Sequence, residues 1–277
     1  MISSAPKATG ASQEGTEYGL QLIEPAQPDG PLLILLRPGQ HPKPMPLALC
    51  VHGYTRQPLD QLRAFAPLAA RLGFALALPL FDDRHHRRYQ QLLHPRRGTR
   101  SDLALLCTLD AAAARHGVDA SRLFLFGYSG GAQFVHRFAM CHPQRTAALA
   151  IGAAGWYTWP DTRHDWPLGL ADAPAKLGAP VDLESFLRLP MALWVGERDT
   201  ATDEHLRDEP QLASLQGVHR LERACNWAEE VRGAGAARGI SNALTVTVLP
   251  RVGHDFGRCD RKGELAARVM DFFDRHR

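Results

Sequence analysis

Residues 122–132 read Arg-Leu-Phe-Leu-Phe-Gly-Tyr-Ser-Gly-Gly-Ala, an apolar run that leads directly into a glycine-rich turn and then into a helical pattern. This is the Gly-x-Ser-x-Gly pattern between a strand and a helix. A serine in so tight a turn needs small residues two positions before and after it, which Gly127 and Gly131 supply. The pattern predicts that Ser129 is a nucleophile raised above the sheet, with the backbone N–H of Gly130 facing a developing oxyanion. The alternative is a turn of purely structural purpose.

Apolar runs of strand length alternate with helical patterns on both sides of this segment. Strands at residues 18–23 and 31–36, separated by a Pro-Asp-Gly-Pro turn, indicate an antiparallel start. Further strands are predicted at residues 46–51, 74–80, 122–126, 147–151, 191–195 and 244–249, and helices at residues 59–72, 101–116, 131–141, 218–238 and 263–275. The alternation predicts an α/β fold with a doubly wound, mostly parallel eight-stranded sheet and helices on both faces.

The chain is expected to form one domain. Its 277 residues contain no internal repeat and no long linker, so we expect a single domain over residues 18–277. Residues 1–17 are polar and lack the apolar stretch of a signal peptide, which predicts a disordered tail. Residues 155–190 lose the strand and helix periodicity and are rich in Trp, Pro and Asp, which predicts a lid-like insertion over the sheet.

The composition excludes several classes of protein. Hydrophobic residues make up 45% and charged residues 22%, which is typical of a folded globular chain and not of a disordered or coiled-coil one. The formal net charge of +3 gives no reason to expect a nucleic-acid partner. The longest apolar runs have strand length, so no membrane span is expected. The five cysteines are spread without a Cys-x-x-Cys pair, which predicts reduced thiols, no metal site and a cytoplasmic location.

A serine nucleophile needs a base and an orienting acid. His254 follows the last predicted strand directly, at the same carboxyl edge of the sheet as the serine, and is the candidate base. Asp199 follows the preceding strand of the chain and is the first choice as the carboxylate that fixes the imidazole tautomer. The resulting order of serine, acid and histidine is the order found in one fold family. Asp203, Glu197 and Asp161 stay open as alternative acids.

A second donor to the oxyanion is expected after the third strand. There the chain reads His52-Gly53-Tyr54. Gly53 permits a sharp turn, which would place the backbone N–H of Tyr54 beside that of Gly130.

These motifs together resemble the α/β-hydrolase family. The resemblance spans residues 18–275 and rests on the segments His-Gly-Tyr at 52–54, Gly-Tyr-Ser-Gly-Gly at 127–131, Val-Gly-Glu-Arg-Asp at 195–199 and Gly-His at 253–254. Within the family the chain looks like the polyhydroxybutyrate depolymerase-like and dienelactone hydrolase-like esterases. The resemblance implies an acyl-enzyme on Ser129, general acid–base work by His254, orientation by Asp199, and no metal or organic cofactor.

Substrate contacts are harder to place. The rings of Trp156, Tyr157 and Trp159 follow the sixth strand and are candidates for a pocket wall that would bind a bulky apolar group. They could equally form a satellite core under a long loop. The basic segment at residues 84–100 would either steer an anionic group to the site or form a solvated loop.

We expect a small-molecule ester or thioester as substrate. Peptidase or amidase activity, and acyl transfer, would use the same three residues. A non-catalytic binding protein with this fold is the alternative of another class. It would have no need of an intact nucleophile, base, acid and two oxyanion donors together.

Overall fold

The structure is a computed structural model that describes residues 18–39, 44–93, 100–202, 206–207 and 209–277. The predicted tail at residues 1–17 lies outside the described residues. So do the alternative acid Asp203 and residues 94–99 of the basic segment.

The described strands form a single eight-stranded sheet in the order β1-β2-β4-β3-β5-β6-β7-β8. The strands are β1 Tyr18–Ile23, β2 Leu32–Pro38, β3 Met45–Val51, β4 Ala75–Leu80, β5 Val118–Tyr128, β6 Thr146–Gly152, β7 Met191–Gly196 and β8 Thr245–Leu249. β2 runs antiparallel to both β1 and β4, and the remaining pairs are parallel. This confirms the predicted mostly parallel sheet with an antiparallel start.

Helices flank this sheet as the alternating pattern predicted. They are α1 Pro58–Leu72, α2 Ser101–His116, α3 Gly130–Cys141, α4 Ala173–Leu177, α5 Leu183–Leu187, α6 Pro210–Gln216, α7 Arg220–Ala236, α8 Phe256–Gly263 and α9 Leu265–Arg275, with short 3-10 turns at Tyr89–Gln91 and Pro143–Arg145. The main helix contacts fall into two groups. One group contains α1, α8 and α9, and the other contains α3, α5, α6 and α7. Since helices on opposite faces of a sheet do not touch, two groups are expected of a doubly wound fold.

Burial explains why the central strands are continuous apolar runs. Every residue of β6 and β7 is buried, because a parallel strand covered on both faces has no solvent side on which a polar residue would alternate. The edge strand β8 is mostly exposed or half-buried and carries two threonines. The central strands thus provide a rigid edge from which the site loops project.

Some elements differ from the prediction, and the short helices α4, α5 and α6 lie in stretches that were predicted to be irregular. The strand predicted at residues 122–126 is part of the longer β5, because pairing with β3 starts already at Val118. The helix predicted at residues 218–238 starts at Arg220, after His219 accepts a hydrogen bond from the Glu222 N–H on its imidazole. α8 was not predicted at all, since its sequence is polar and begins where a loop was expected.

Residues 155–190 connect β6 to β7 and carry the short helices α4 and α5. A lid function for this segment stays a prediction. Among the described residues, no helix is both long enough and apolar enough to cross a membrane.

Candidate active site

The turn between β5 and α3 holds Ser129 in strained backbone. Ser129 has φ 55° and ψ −113°, a left-handed conformation that L-residues rarely adopt. A Cβ atom built on Gly131 would lie 2.0 Å from the carbonyl oxygen of Val51, and one built on Gly127 would lie 2.3 Å from the backbone of Gly131. Glycine is therefore required at both positions by close backbone approach, as the Gly-x-Ser-x-Gly pattern predicted.

A hydrogen-bonded chain links the three predicted catalytic residues. The Nε2 atom of His254 lies 2.9 Å from Oγ of Ser129. On the other side of the ring, Nδ1 of His254 lies 2.8 Å from Oδ2 of Asp199. Because the carboxylate accepts the Nδ1–H, Nε2 is left to accept the serine proton. This arrangement can move a proton from the serine hydroxyl to the imidazole during attack.

The parallel sheet brings these side chains together. Ser129 follows β5, Asp199 follows β7 and His254 follows β8, and parallel strands end at a common edge. Asp161 instead pairs with Arg163 at 2.8 Å.

Glu197 is also turned away from the imidazole. Its carboxylate accepts the N–H of Arg251 at 2.7 Å. Of the alternative acids, only Asp203 lies outside the described residues. Among the described acids, Asp199 is the one in hydrogen-bond contact with His254.

Asp199, the candidate acid, packs beside the first turn of α7. The N–H of Leu221 donates to the carbonyl oxygen of Asp199 at 3.2 Å, and Nη1 of Arg220 lies 3.6 Å from Asp199 Oδ1. Both charged side chains are about 1% exposed. The guanidinium of Arg220 is therefore a buried charged neighbour of the carboxylate that contacts His254. Sequence reasoning missed Arg220 because it lies in the first turn of a helix whose docking on β7 no sequence pattern reveals.

The imidazole of His254 also packs on an aromatic ring. Tyr128, the residue before the nucleophile, stacks on it with ring centroids 5.3 Å apart. The Tyr128 hydroxyl lies 3.4 Å from Sγ of the buried Cys259. The ring therefore limits rotation of the imidazole from one side.

The predicted oxyanion donors lie next to one another. A Cβ built on Gly130 would lie 3.1 Å from the backbone nitrogen of Tyr54, so the loop after β3 approaches the start of α3 as expected. The Tyr54 side chain is 63% exposed at the mouth of the site.

The buried imidazole of His52 hydrogen-bonds to the loop that follows β3. Burial lowers the pKa of His52 to about 4, so the ring is neutral near pH 7. The Phe81 N–H donates to Nε2 of His52 at 3.1 Å, which leaves the proton on Nδ1. That Nδ1–H donates to the carbonyl oxygen of Gly53 at 2.8 Å. The loop is thus tied to the chain just beyond β4.

An open cleft of about 330 Å³ borders the serine. Its lining side chains are aromatic, amide, acidic and hydroxyl groups, from Tyr54, Thr55, Gln57, Asp60, Gln61, Tyr128, Ser129, His254, Asp255 and Phe256. Tyr54, Tyr128 and Phe256 are the aromatic residues of this lining beside the serine and histidine.

The aromatic cluster after β6 does not line this cleft. Trp156, Tyr157 and Trp159 are at most 3% exposed. Tyr157 stacks on Trp227 with centroids 4.9 Å apart, and both its peptide N–H and its carbonyl bind the side chain of Gln216. The prediction of a pocket wall is therefore corrected, since all three rings are buried and Tyr157 and Trp159 are part of the main hydrophobic core.

Trp156 is held in a different way. Two guanidinium groups contact its ring, with the Cζ atoms of Arg137 and Arg207 at 4.1 and 4.8 Å from the ring centroid. These cation–π contacts help to fix the position of the indole, which is 3% exposed.

No protein-family model matches the sequence, and a search of curated proteins finds no match. Solved structures do match the fold. The chain is similar to poly(aspartic acid) hydrolase-1 from Sphingomonas sp. KT-1, with a TM-score of 0.76 and 23% identity over 92% of this chain and 98% of that chain. It is similar to a poly(3-hydroxybutyrate) depolymerase from Bordetella parapertussis, with a TM-score of 0.72 and 26% identity over 92% and 95% of the two chains.

A third similar structure is an S-formylglutathione hydrolase from Agrobacterium tumefaciens, with a TM-score of 0.58 and 17% identity over 96% of each chain. All three matches extend over nearly the full length of both chains. The chain therefore has the α/β-hydrolase fold, and the solved structures to which it is similar are hydrolases.

Proposed function

We propose that the protein is a serine hydrolase that cleaves a carboxylic ester or thioester through an acyl-enzyme on Ser129. The observation that carries the proposal is the hydrogen-bonded chain from Asp199 through His254 to Ser129, with links of 2.8 and 2.9 Å. The similarity of the fold to known hydrolases supports it. A protein that only binds a ligand has no need of a serine held at φ 55° against a histidine.

In this mechanism Oγ of Ser129 attacks the ester carbonyl carbon while His254 Nε2 takes the hydroxyl proton. The carboxylate of Asp199 stabilises the imidazolium that forms. The backbone N–H groups of Gly130 and Tyr54 donate to the oxyanion. His254 then gives its proton to the leaving alcohol or thiol. A water molecule, deprotonated by the same imidazole, releases the acid and restores the serine.

The test is hydrolysis of p-nitrophenyl esters from acetate to palmitate by wild type and by Ser129→Ala. We expect turnover in wild type and its loss in the variant, because the nucleophile is removed. Short acyl chains should be the better substrates, since the cleft has a volume of only about 330 Å³ and the aromatic cluster after β6 is buried and adds no pocket wall to it.

Ser121→Ala is the matched control, because Ser121 is an exposed serine on the same strand β5. It should retain wild-type turnover. A fluorophosphonate probe gives an independent reading, since it labels an activated serine without requiring the right ester. If Ser129→Ala keeps substantial turnover, or if wild type is neither active nor labelled, the proposal is wrong.

A further inference from the structure

The peptide unit between Gly53 and Tyr54 has two ends with different tasks. Its N–H, on Tyr54, is the proposed oxyanion donor, beside Gly130. Its carbonyl oxygen, on Gly53, points away toward the 3-10 turn Tyr89–Gln91. Because the peptide is planar, whatever holds the carbonyl also sets the direction of the N–H.

Two side-chain donors lie on that carbonyl. One is Nδ1–H of His52 at 2.8 Å. The other is the hydroxyl of Tyr89, which lies 3.0 Å from the oxygen of Gly53 and 2.8 Å from the oxygen of His52. The single hydroxyl proton of Tyr89 is thus shared between two successive carbonyls of the oxyanion loop.

Tyr89 is held rigidly for this task. Its ring is fully buried and stacks on Phe81, with centroids 4.8 Å apart and an interplanar angle of 15°. Burial raises the pKa of Tyr89, so the hydroxyl stays protonated and remains a donor near neutral pH. A Cβ built on Gly130 would lie only 3.1 Å from the Tyr89 oxygen, which places this hydroxyl directly behind the site.

We propose that Tyr89 is a positioning residue of the oxyanion hole, whose hydroxyl fixes and polarises the Gly53–Tyr54 peptide from its carbonyl end. This inference rests on the proposed serine hydrolase function and adds a residue to it. Donation to a carbonyl strengthens the same peptide's N–H as a donor, because hydrogen bonds in a chain polarise one another. The basic segment at residues 84–100 thereby supplies a side chain to the site that its charge pattern does not reveal.

The test removes the hydroxyl alone, in Tyr89→Phe. We expect kcat to fall by about 10-fold, less than the 10²–10³ seen when a whole oxyanion donor is deleted. KM should stay within about 2-fold of wild type, since Tyr89 does not touch the cleft and its donor acts mainly on the transition state. The rate constant of labelling by a fluorophosphonate should fall in parallel with kcat, because the phosphoryl oxygen occupies the same hole.

Thr146→Val is the matched control. It removes another buried hydroxyl that donates to a carbonyl, that of His142 at 3.0 Å. Thr146 is the first residue of β6, at the end of that strand away from the candidate site. It should leave kcat and labelling unchanged. A second variant carries 4-aminophenylalanine at position 89, which keeps the ring and a weaker donor. Its kcat should lie between those of wild type and Tyr89→Phe, and it keeps the inference testable if the phenylalanine variant does not fold.

The outcomes separate this inference from the function beneath it. If folded Tyr89→Phe has wild-type kcat and labelling, or changes KM alone, Tyr89 has no positioning role while the serine hydrolase stands. If wild type itself is neither labelled nor active, the proposed function fails and this inference fails with it.

Discussion

At Asp199 a small chemical change tests the proposed site directly, because its carboxylate contacts His254. Replacing it by asparagine keeps the shape but presents an amide to His254, which stabilises the wrong tautomer. We expect Asp199→Asn to lower kcat on the proposed ester substrates by about 10⁴, the scale seen for a serine protease triad. Steady-state kinetics with p-nitrophenyl acetate measures this.

Glu197→Gln is the control, because Glu197 lies two residues earlier and accepts the Arg251 N–H instead of contacting the imidazole. It should keep kcat within a few-fold of wild type. Asp203→Asn completes the series, since Asp203 was an alternative acid. A large loss in either of these variants with little loss in Asp199→Asn would contradict the assignment.

At the same scale, sequence alone predicted site residues that closely follow strands. Ser129, Asp199 and His254 lie one, three and five residues beyond the ends of β5, β7 and β8, so topology alone brings them to one edge. Tyr89 and Arg220 could not be predicted in this way. Tyr89 lies on a 3-10 turn and Arg220 at the start of α7. At such positions the direction of the side chain depends on how the element packs and not on any spacing in the sequence.

The turn that joins β5 to α3 is the element with the least tolerance. Gly131→Ala would place a methyl group 2.0 Å from the Val51 carbonyl. Backbone must move to admit it, so we expect a loss of roughly 3 kcal/mol in the free energy of unfolding, the upper range for overpacking. Urea denaturation followed by circular dichroism measures the change.

Gly233→Ala is the matched substitution in α7, where a Cβ meets nothing within 4 Å. It should stabilise the protein by up to about 1 kcal/mol, since alanine is the better helix former. Equal effects of the two substitutions would show that the turn is not closely packed against β3.

The elements themselves were predicted unevenly, for physical reasons. α2 was predicted with its observed bounds, Ser101–His116, because Gly117 ends it in the left-handed conformation and marks that end in the sequence. α8 was missed because it has few apolar residues to set a period. What starts it is the side chain of Asp255, which accepts the Arg258 N–H at 2.6 Å, directly after the histidine of the site.

For the whole molecule, three buried imidazoles make stability depend on pH, those of His52, His86 and His136. The pKa of His52 is lowered to about 4, that of His136 lies well below its ordinary range and that of His86 is lowered, in each case chiefly because of burial. The rings of His52 and His136 are neutral in the folded state, with Nε2 accepting a backbone N–H. The unfolded chain takes up these protons near pH 6.5 and the folded chain does not.

The free energy of unfolding should therefore be highest above about pH 6.5 and fall as the pH drops toward 4, by roughly 3 kcal/mol from His52 alone. Urea denaturation at pH 7, 6, 5 and 4.5 measures this. The buried carboxyl of Asp102 has a pKa lowered from its ordinary value of 3.8. The stability that it contributes is therefore lost chiefly as the pH falls below 3.8, outside that window. A flat profile between pH 7 and 4.5 would contradict the prediction.

The two hydrogen bonds of the proposed triad span 125 and 55 positions of the chain. Each closes a long loop, and closing a long loop costs chain entropy before the contact returns anything. The hydrogen bonds within helices such as α1 and α9 join residues that are close in sequence, so their formation does not require a long loop to close. We therefore expect the proposed nucleophile to become reactive late in refolding, because the contacts that would activate it form only when distant strands have come into register.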